Sequence, residues 1–187
     1  YIPAILYENE KYILKHQNRR EAKVITQSFL DLGFDVDVVF SEKRFLLPRR
    51  AQYDVIFGIE PNVERFAQEY PGALKIYYAT GAYWKFQNEG ILQRTEQVNR
   101  RRGSKIKPSR LVEPHNSCEI ADHIIQIGTQ KTVDTYPKHL QSKINLIRQS
   151  SFEFLSHDVS NKDWEKAKTR FLWFGGKGAI LKGLDLL

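Results

Sequence analysis

The sequence predicts an α/β domain built on a parallel sheet, and three observations carry that expectation. Short apolar or β-branched runs alternate with segments of helical period, the helical segments close on glycine or proline, and the lengths suit βαβ units. At 187 residues the chain is about one domain's worth and can bury a real core. Hydrophobic residues at 41% and charged residues at 27% exclude a collagen-like, low-complexity or wholly disordered chain.

Each element follows from local pattern. Residues 2–7 form a short apolar run suited to a buried strand, and residues 8–20 read as a polar loop. Over 21–32, Ala22, Ile25, Phe29 and Leu32 fall near one helical face, and Gly33 supplies the C-terminal cap. Residues 35–40 (Asp-Val-Asp-Val-Val-Phe) alternate and are rich in β-branched side chains, so they predict a strand. A loop around Pro48 leads to a buried strand over 54–58, then a short helix over 62–70 stopped by Pro71-Gly72, then a strand over 74–80. A helix through 86–102, a strand over 123–128, a helix over 129–136 ended by Pro137 and a strand over 144–147 complete the rhythm. The expected architecture is a doubly wound, Rossmann-like α/β domain over residues 1–149.

Residues 150–162 are polar and irregular, and 163–169 read as one or two turns of charged helix, so 150–169 is expected to be an interdomain linker that hinges. A new strand over 170–174, a glycine loop and the opening of a helix from Lys182 then look like the start of a second Rossmann-like domain, incomplete within 170–187. With no Met and no signal segment after Tyr1, the chain is expected to be a piece of a longer or trimmed product. No apolar run approaches the roughly 18 residues of a membrane span. The single Cys118 excludes an internal disulfide framework and fits a reducing compartment, with a buried thiol as its expected role.

Charge is local. The net charge is +7, and between Arg94 and Arg110 lie Arg94, Arg100, Arg101, Arg102, Lys105, Lys107 and Arg110 against Glu96 alone. Such a stretch suits an anionic partner: phosphate, a nucleic-acid backbone or an anionic membrane surface. It equally suits a solvated helix end whose cations complement the helix dipole.

The glycine loop, Gly175-Gly176-Lys177-Gly178, sits between a predicted strand and a predicted helix. Backbone N–H groups in that setting can cradle a phosphate, and Lys177 and Lys182 can add charge on a diphosphate. The loop fits neither the Walker A pattern nor the Gly-x-Gly-x-x-Gly spacing; a tight turn without a ligand is the other reading. Asp35-Val36-Asp37 has a metal-binding form but is expected to face solvent, and the five His residues show no metal-ligand spacing. No Gly-x-Ser-x-Gly elbow supports acyl transfer. In open parallel sheets ligands bind beyond the carboxyl ends of strands. Lys15, His16, Asn18 and Arg19, with Thr80, Gly81, Tyr83 and Trp84, are therefore the candidates for an acceptor cleft, the aromatic faces suiting sugar rings.

Phe174-Gly175-Gly176-Lys177 followed by Lys182-Gly183-Leu184-Asp185 resembles the start of the donor domain of group 1 retaining glycosyltransferases of the GT-B fold. Lys177 stands where that family has Arg, keeping charge without the bidentate fork. Ala121-Asp122-His123 through Tyr136-Pro137, Ile144-Asn145-Leu146-Ile147, and Asn18-Arg19-Arg20-Glu21 with Leu32-Gly33-Phe34-Asp35-Val36-Asp37-Val38 resemble first-domain stretches of that family. Thr80-Gly81-Ala82-Tyr83-Trp84 with Arg100-Arg101-Arg102-Gly103 resembles a subgroup of its bacterial members. Tyr83 or Trp84 stands where many members have a His. The resemblance implies a GT-B N-terminal acceptor domain and transfer, with retention and without metal or other cofactor, of a sugar from a nucleotide-sugar co-substrate to a glycan or lipid-linked hydroxyl acceptor. It implies a donor-diphosphate site at Gly175, Gly176, Lys177, Lys182 and Gly183, and a cytoplasmic enzyme with the basic stretch toward an anionic acceptor or the inner membrane leaflet. Nucleic acid is not a partner on this reading, and the chain alone is expected to be inactive. The alternatives are a basic α/β binding module for nucleic acid or another anion, and a non-catalytic Rossmann-like subunit.

Overall fold

The computed structural model describes residues 4–40, 50–151, 158–173, 175 and 178–186. Within them the chain forms two compact units, one of residues 1–81 and 115–152, the other of 82–114 and 153–187.

The first unit is an α/β domain on a four-stranded, all-parallel sheet. Its strands are β1 (Val55–Gly58), β2 (Leu74–Ala79), β3 (His123–Ile127) and β4 (Ile144–Ile147), ordered β1-β2-β3-β4. The register sets Phe57 beside Ile76, Tyr77 beside Ile124 and Ile125 beside Asn145. Neighbouring strands therefore place like-facing side chains in rows across the sheet. The order runs one way, so the reversal that double winding brings is not among the described strands.

Helix α1 (Glu10–Ile13) and the first turn of α2 (Gln17–Asp31) occupy the stretch expected to be a loop, and the rest of α2 is the helix expected over 21–32. Asn9 accepts the Tyr12 N–H at 2.9 Å to cap α1, and His16 Nδ1 accepts the Asn18 N–H at 3.2 Å to cap α2. These caps start helix earlier than apolar spacing alone reveals. At the far end of α2, Gly33 adopts φ 88°, its N–H donates to Leu30 O at 2.9 Å and the Phe34 N–H donates to Phe29 O at 3.0 Å. The Phe29 and Phe34 rings meet edge to face at 5.8 Å, the apolar contact that accompanies this glycine-terminated helix end. Phe29 also meets Phe57, which meets Tyr78, at 5.6 and 5.5 Å, so α2 covers one face of β1 and β2. Each such ring pair contributes about 1 kcal/mol beyond its buried area.

The opposite face is covered by α3 (Asn62–Glu69) and α5 (Ser117–Ile120). Val63 and Ala67 of α3, Tyr77 of β2, Cys118 of α5 and Ile124 of β3 are all buried there. Of the helix expected over 129–136 only α6 (Gln130–Val133) forms, and a short helix that was not expected, α7 (Lys138–Gln141), follows from Pro137.

In the first unit two expected strands are absent where they are described. Residues 5–7 form a 3-10 turn, Ile5–Tyr7, and residues 2–3 lie outside the described residues. Residues 35–40 pair in no ladder among the described residues. Instead Arg50 reaches Asp35 at 3.1 Å and Asp37 at 3.4 Å, and Tyr53 donates to Asp37 at 2.5 Å. Alternation marks a chain fit for a sheet, but only a neighbouring strand makes it one. The loop around Pro48 lies outside the described residues.

In the second unit α4 (Trp84–Arg102) buries Ile91, Thr95 and Val98, and ends on Gly103 at φ 61°. A short helix, α8 (Trp164–Ala167), is capped by Asp163, whose carboxylate accepts the Lys166 N–H at 3.0 Å. Residues 170–173 form no strand, and Phe171 and Leu172 are exposed. The expected helix from Lys182 is a run of turns ending in a 3-10 turn, Leu184–Leu186. Six residues offer too few hydrogen bonds to offset helix nucleation.

Candidate functional site

The acceptor candidates of the first unit sit where α1 hands over to α2 and where β2 ends. Lys15 and His16 are exposed in the turn between the two helices, while Asn18 and Arg19 are half-buried on the first turn of α2. Arg19 lies over the Tyr12 ring at 3.9 Å and donates to Tyr12 O at 3.0 Å, so its guanidinium is spoken for by α1. One turn on, Glu21 accepts hydrogen bonds from Gln17 Nε2 at 2.7 Å, Ser150 Oγ at 2.9 Å and Tyr78 Oη at 3.2 Å. That carboxylate fastens the start of α2 to the carboxyl ends of β2 and β4, where open parallel sheets hold ligands.

Thr80 is exposed just past β2. The Gly81 carbonyl is held by Gln126 Nε2 at 3.0 Å, from a fully buried side chain that also donates to Ile127 O at 2.7 Å and Ala79 O at 3.2 Å. Gln126 thus pins the backbone on which Thr80 stands.

Tyr83 and Trp84 belong to the second unit, where they open α4 half-buried with ring centroids 6.1 Å apart. Lys85 lies over the Trp84 ring at 5.4 Å. Further along α4, Arg100 pairs with Glu96 at 2.8 Å, one helical turn away. Arg94 reaches both carboxylate oxygens of Asp185, at 2.8 and 2.9 Å, and Arg101 also pairs with that carboxylate. Arg102 donates to the Asp185 carbonyl at 2.8 Å. The basic stretch is therefore partly spent inside the chain, and Arg100, Lys105, Lys107 and Arg110 are exposed.

Of the expected diphosphate residues, Gly176 and Lys177 lie outside the described residues. Gly175 is exposed, Lys182 is exposed, and Gly183 turns the chain at φ 76°. The Lys182 carbonyl accepts the Trp173 indole N–H at 3.0 Å.

Sequence reasoning missed a polar cluster under α3. Glu60, just past β1, accepts the Tyr77 hydroxyl at 2.8 Å. Glu64 accepts the Asn116 N–H at 2.7 Å and the Ser117 hydroxyl at 3.0 Å. His115 Nδ1 lies 3.9 Å from Glu64, and its ring is 5.7 Å from that of Tyr77. Burial, reinforced by Glu60, drives the Tyr77 phenol far above its ordinary range. Burial pushes the Cys118 thiol up to about 12. The His115 imidazole is held below its ordinary value by burial, against the opposing pull of Glu60 and Glu64. A run of one Tyr, one His and two Glu spread over 60–115 carries no spacing signal; only the fold assembles it.

Among the described residues no group of three or more His, Cys, Asp or Glu is placed to hold a metal ion. None of the helices there is long and apolar enough to cross a membrane. Comparison with models of known protein families, with curated proteins and with solved structures finds no match for the chain.

Proposed function

We propose that the chain is the acceptor-side part of a metal-independent, retaining glycosyltransferase that moves a sugar from a nucleotide-sugar to a hydroxyl acceptor at the cytoplasmic side of the membrane. The observation that carries this reading is the parallel sheet whose carboxyl edge gathers the start of α2 and the Thr80–Gly81 backbone in one unit. Polar groups on a pinned backbone are what a hydroxylated acceptor needs for orientation. On this reading Lys15, His16, Asn18, Arg19, Thr80 and Gly81 of the first unit hold the acceptor. Gly175, Gly176, Lys177, Lys182 and Gly183 hold the donor diphosphate, with the lysines stabilising its departure. The resemblance over Lys182-Gly183-Leu184-Asp185 supports that assignment.

The test is turnover by protein expressed from the whole reading frame. It is incubated with a panel of UDP-, GDP- and ADP-sugars and with glycan or lipid-linked acceptors. Acceptor-dependent release of nucleoside diphosphate is the expected result. No release with any donor overturns the reading.

A further inference from the structure

Three guanidinium groups of α4 and its final turn converge on one residue. Asp185 presents three oxygens, Oδ1, Oδ2 and its backbone carbonyl, and each is met by an arginine. Arg94 takes both carboxylate oxygens, Arg101 shares Oδ2, and Arg102 takes the carbonyl at 2.8 Å. The Asp185 side chain is only 10% exposed and that of Arg94 25%, whereas Arg101 is 45% exposed, so a sheltered carboxylate is held by a cradle with one side open to water. Three positive charges face one negative charge, and the arrangement is under-neutralised.

We infer that the Arg94–Arg101–Arg102 cradle is a phosphoryl-binding site, closed in this structure by Asp185 as an internal stand-in. A phosphoryl group offers three oxygens in a compact tripod and close to two negative charges, matching both the donors and the charge better than one carboxylate does. Planar guanidinium forks are the side chains best suited to such oxygens. Glu96 engages Arg100 and leaves the other three arginines to the cradle. The 3-10 turn Leu184–Leu186 that carries Asp185 is short, so little helix is lost when the carboxylate leaves. The inference stands apart from the transferase reading, because Arg94, Arg101, Arg102 and Asp185 are none of the residues that reading gives to the donor or the acceptor.

The test follows the Arg94 and Arg101 Nε–H resonances of the chain during titration with inorganic phosphate. A second arm measures sedimentation with phosphatidylcholine vesicles with and without phosphatidate, which separates a free phosphate from a lipid headgroup. Asp185→Asn is expected to respond at about tenfold lower phosphate or phosphatidate than the wild type, the equivalent of one charge-assisted contact removed from competition. Adding Arg94→Gln to that variant is expected to abolish the response. In the wild type, high phosphate is expected to shift the Asp185 carboxylate carbon as it is displaced, a readout that needs no variant to fold. Equal midpoints for wild type and Asp185→Asn, a response that survives Arg94→Gln, or no response to either probe overturns the proposal.

Discussion

The hydroxyl of Tyr136 donates to Oε1 of Gln126 at 2.5 Å, between two side chains that are both buried. With its amide nitrogen on three carbonyls, Gln126 has every polar atom engaged at the place where β2 leaves the sheet. Gln126→Leu strands Tyr136 Oη and those carbonyls, and is expected to cost about 2–4 kcal/mol. Tyr136→Phe removes one donor and is expected to cost about 1 kcal/mol. Urea unfolding midpoints at constant slope check both, and the double variant is expected to cost less than the two singles together.

The chain is expected to lose stability as the solution is acidified from neutral. His115 titrates below its ordinary 6.5 in the fold because it is buried, so the unfolded chain binds the proton first. Its contribution is complete above pH 6.5 and declines as pH falls through the folded value. His115→Gln is expected to flatten that acid limb, as read by thermal midpoints between pH 5 and 7.5. An unchanged limb overturns the assignment to His115.

The alkaline side has a different origin. Burial raises the Cys118 thiol from 9.0 to about 12, so the fold keeps a proton that the unfolded chain releases. Stability is expected to fall as pH rises above 9.0, and Cys118→Ala is expected to weaken that dependence. The same burial predicts slow reaction with a disulfide reagent at neutral pH and fast reaction in urea.

Gly128 ends β3 at φ 148°, and its N–H donates to Ile147 O at 3.1 Å. A Cβ there would run into the Thr132 side chain, whose hydroxyl accepts the Thr129 N–H at the start of α6. Gly128→Ala is expected to cost about 2 kcal/mol in strain and lost capping, measured by calorimetry.

Lys105 and Lys107 are exposed and stand apart from the Asp185 contact. Reversing both to Glu is expected to weaken association with anionic vesicles while leaving the fold's melting temperature unchanged. Association that is insensitive to the reversal removes the membrane-leaflet role of the basic stretch.

Where a segment carries its own punctuation, the sequence was enough. Residues 144–147 are a strand at the expected bounds, 62–70 gives α3 but for one residue, and Gly33 and Gly103 stop helices as their conformational freedom allows. Apolar period misplaced the start of α2, because its N-cap is His16 rather than a Ser, Thr, Asp or Asn. Residues 35–40 failed for a non-local reason: a strand is defined by its neighbour, and the aspartates found Arg50 and Tyr53 instead. Thr80 and Gly81 were legible through their place at the end of β2, whereas Lys15, His16, Asn18 and Arg19 were expected to follow a strand over 2–7 where residues 5–7 form a 3-10 turn. The partners that fix them, Glu21, Gln126 and Tyr136, were not legible, since nothing local to those residues shows what they meet. Asp185, the last residue of the Lys182-Gly183-Leu184-Asp185 stretch, engages the basic stretch, a pairing across more than eighty residues that no local window contains.

The first unit is discontinuous: the chain leaves it after Gly81 and returns at His115. Both crossing points are anchored, one by Gln126 on the Gly81 carbonyl and the other by Glu64 on Asn116 and Ser117. This gives assembly an order. The β1–α3–β2 stretch is local and can form as soon as it is made, whereas β3 must first close the long excursion of residues 82–114 before it pairs with β2. Closure entropy grows only slowly with length, so the excursion taxes the rate of folding far more than the final stability. Residues 82–114 are thus a place where the chain can be lengthened with little loss to the sheet.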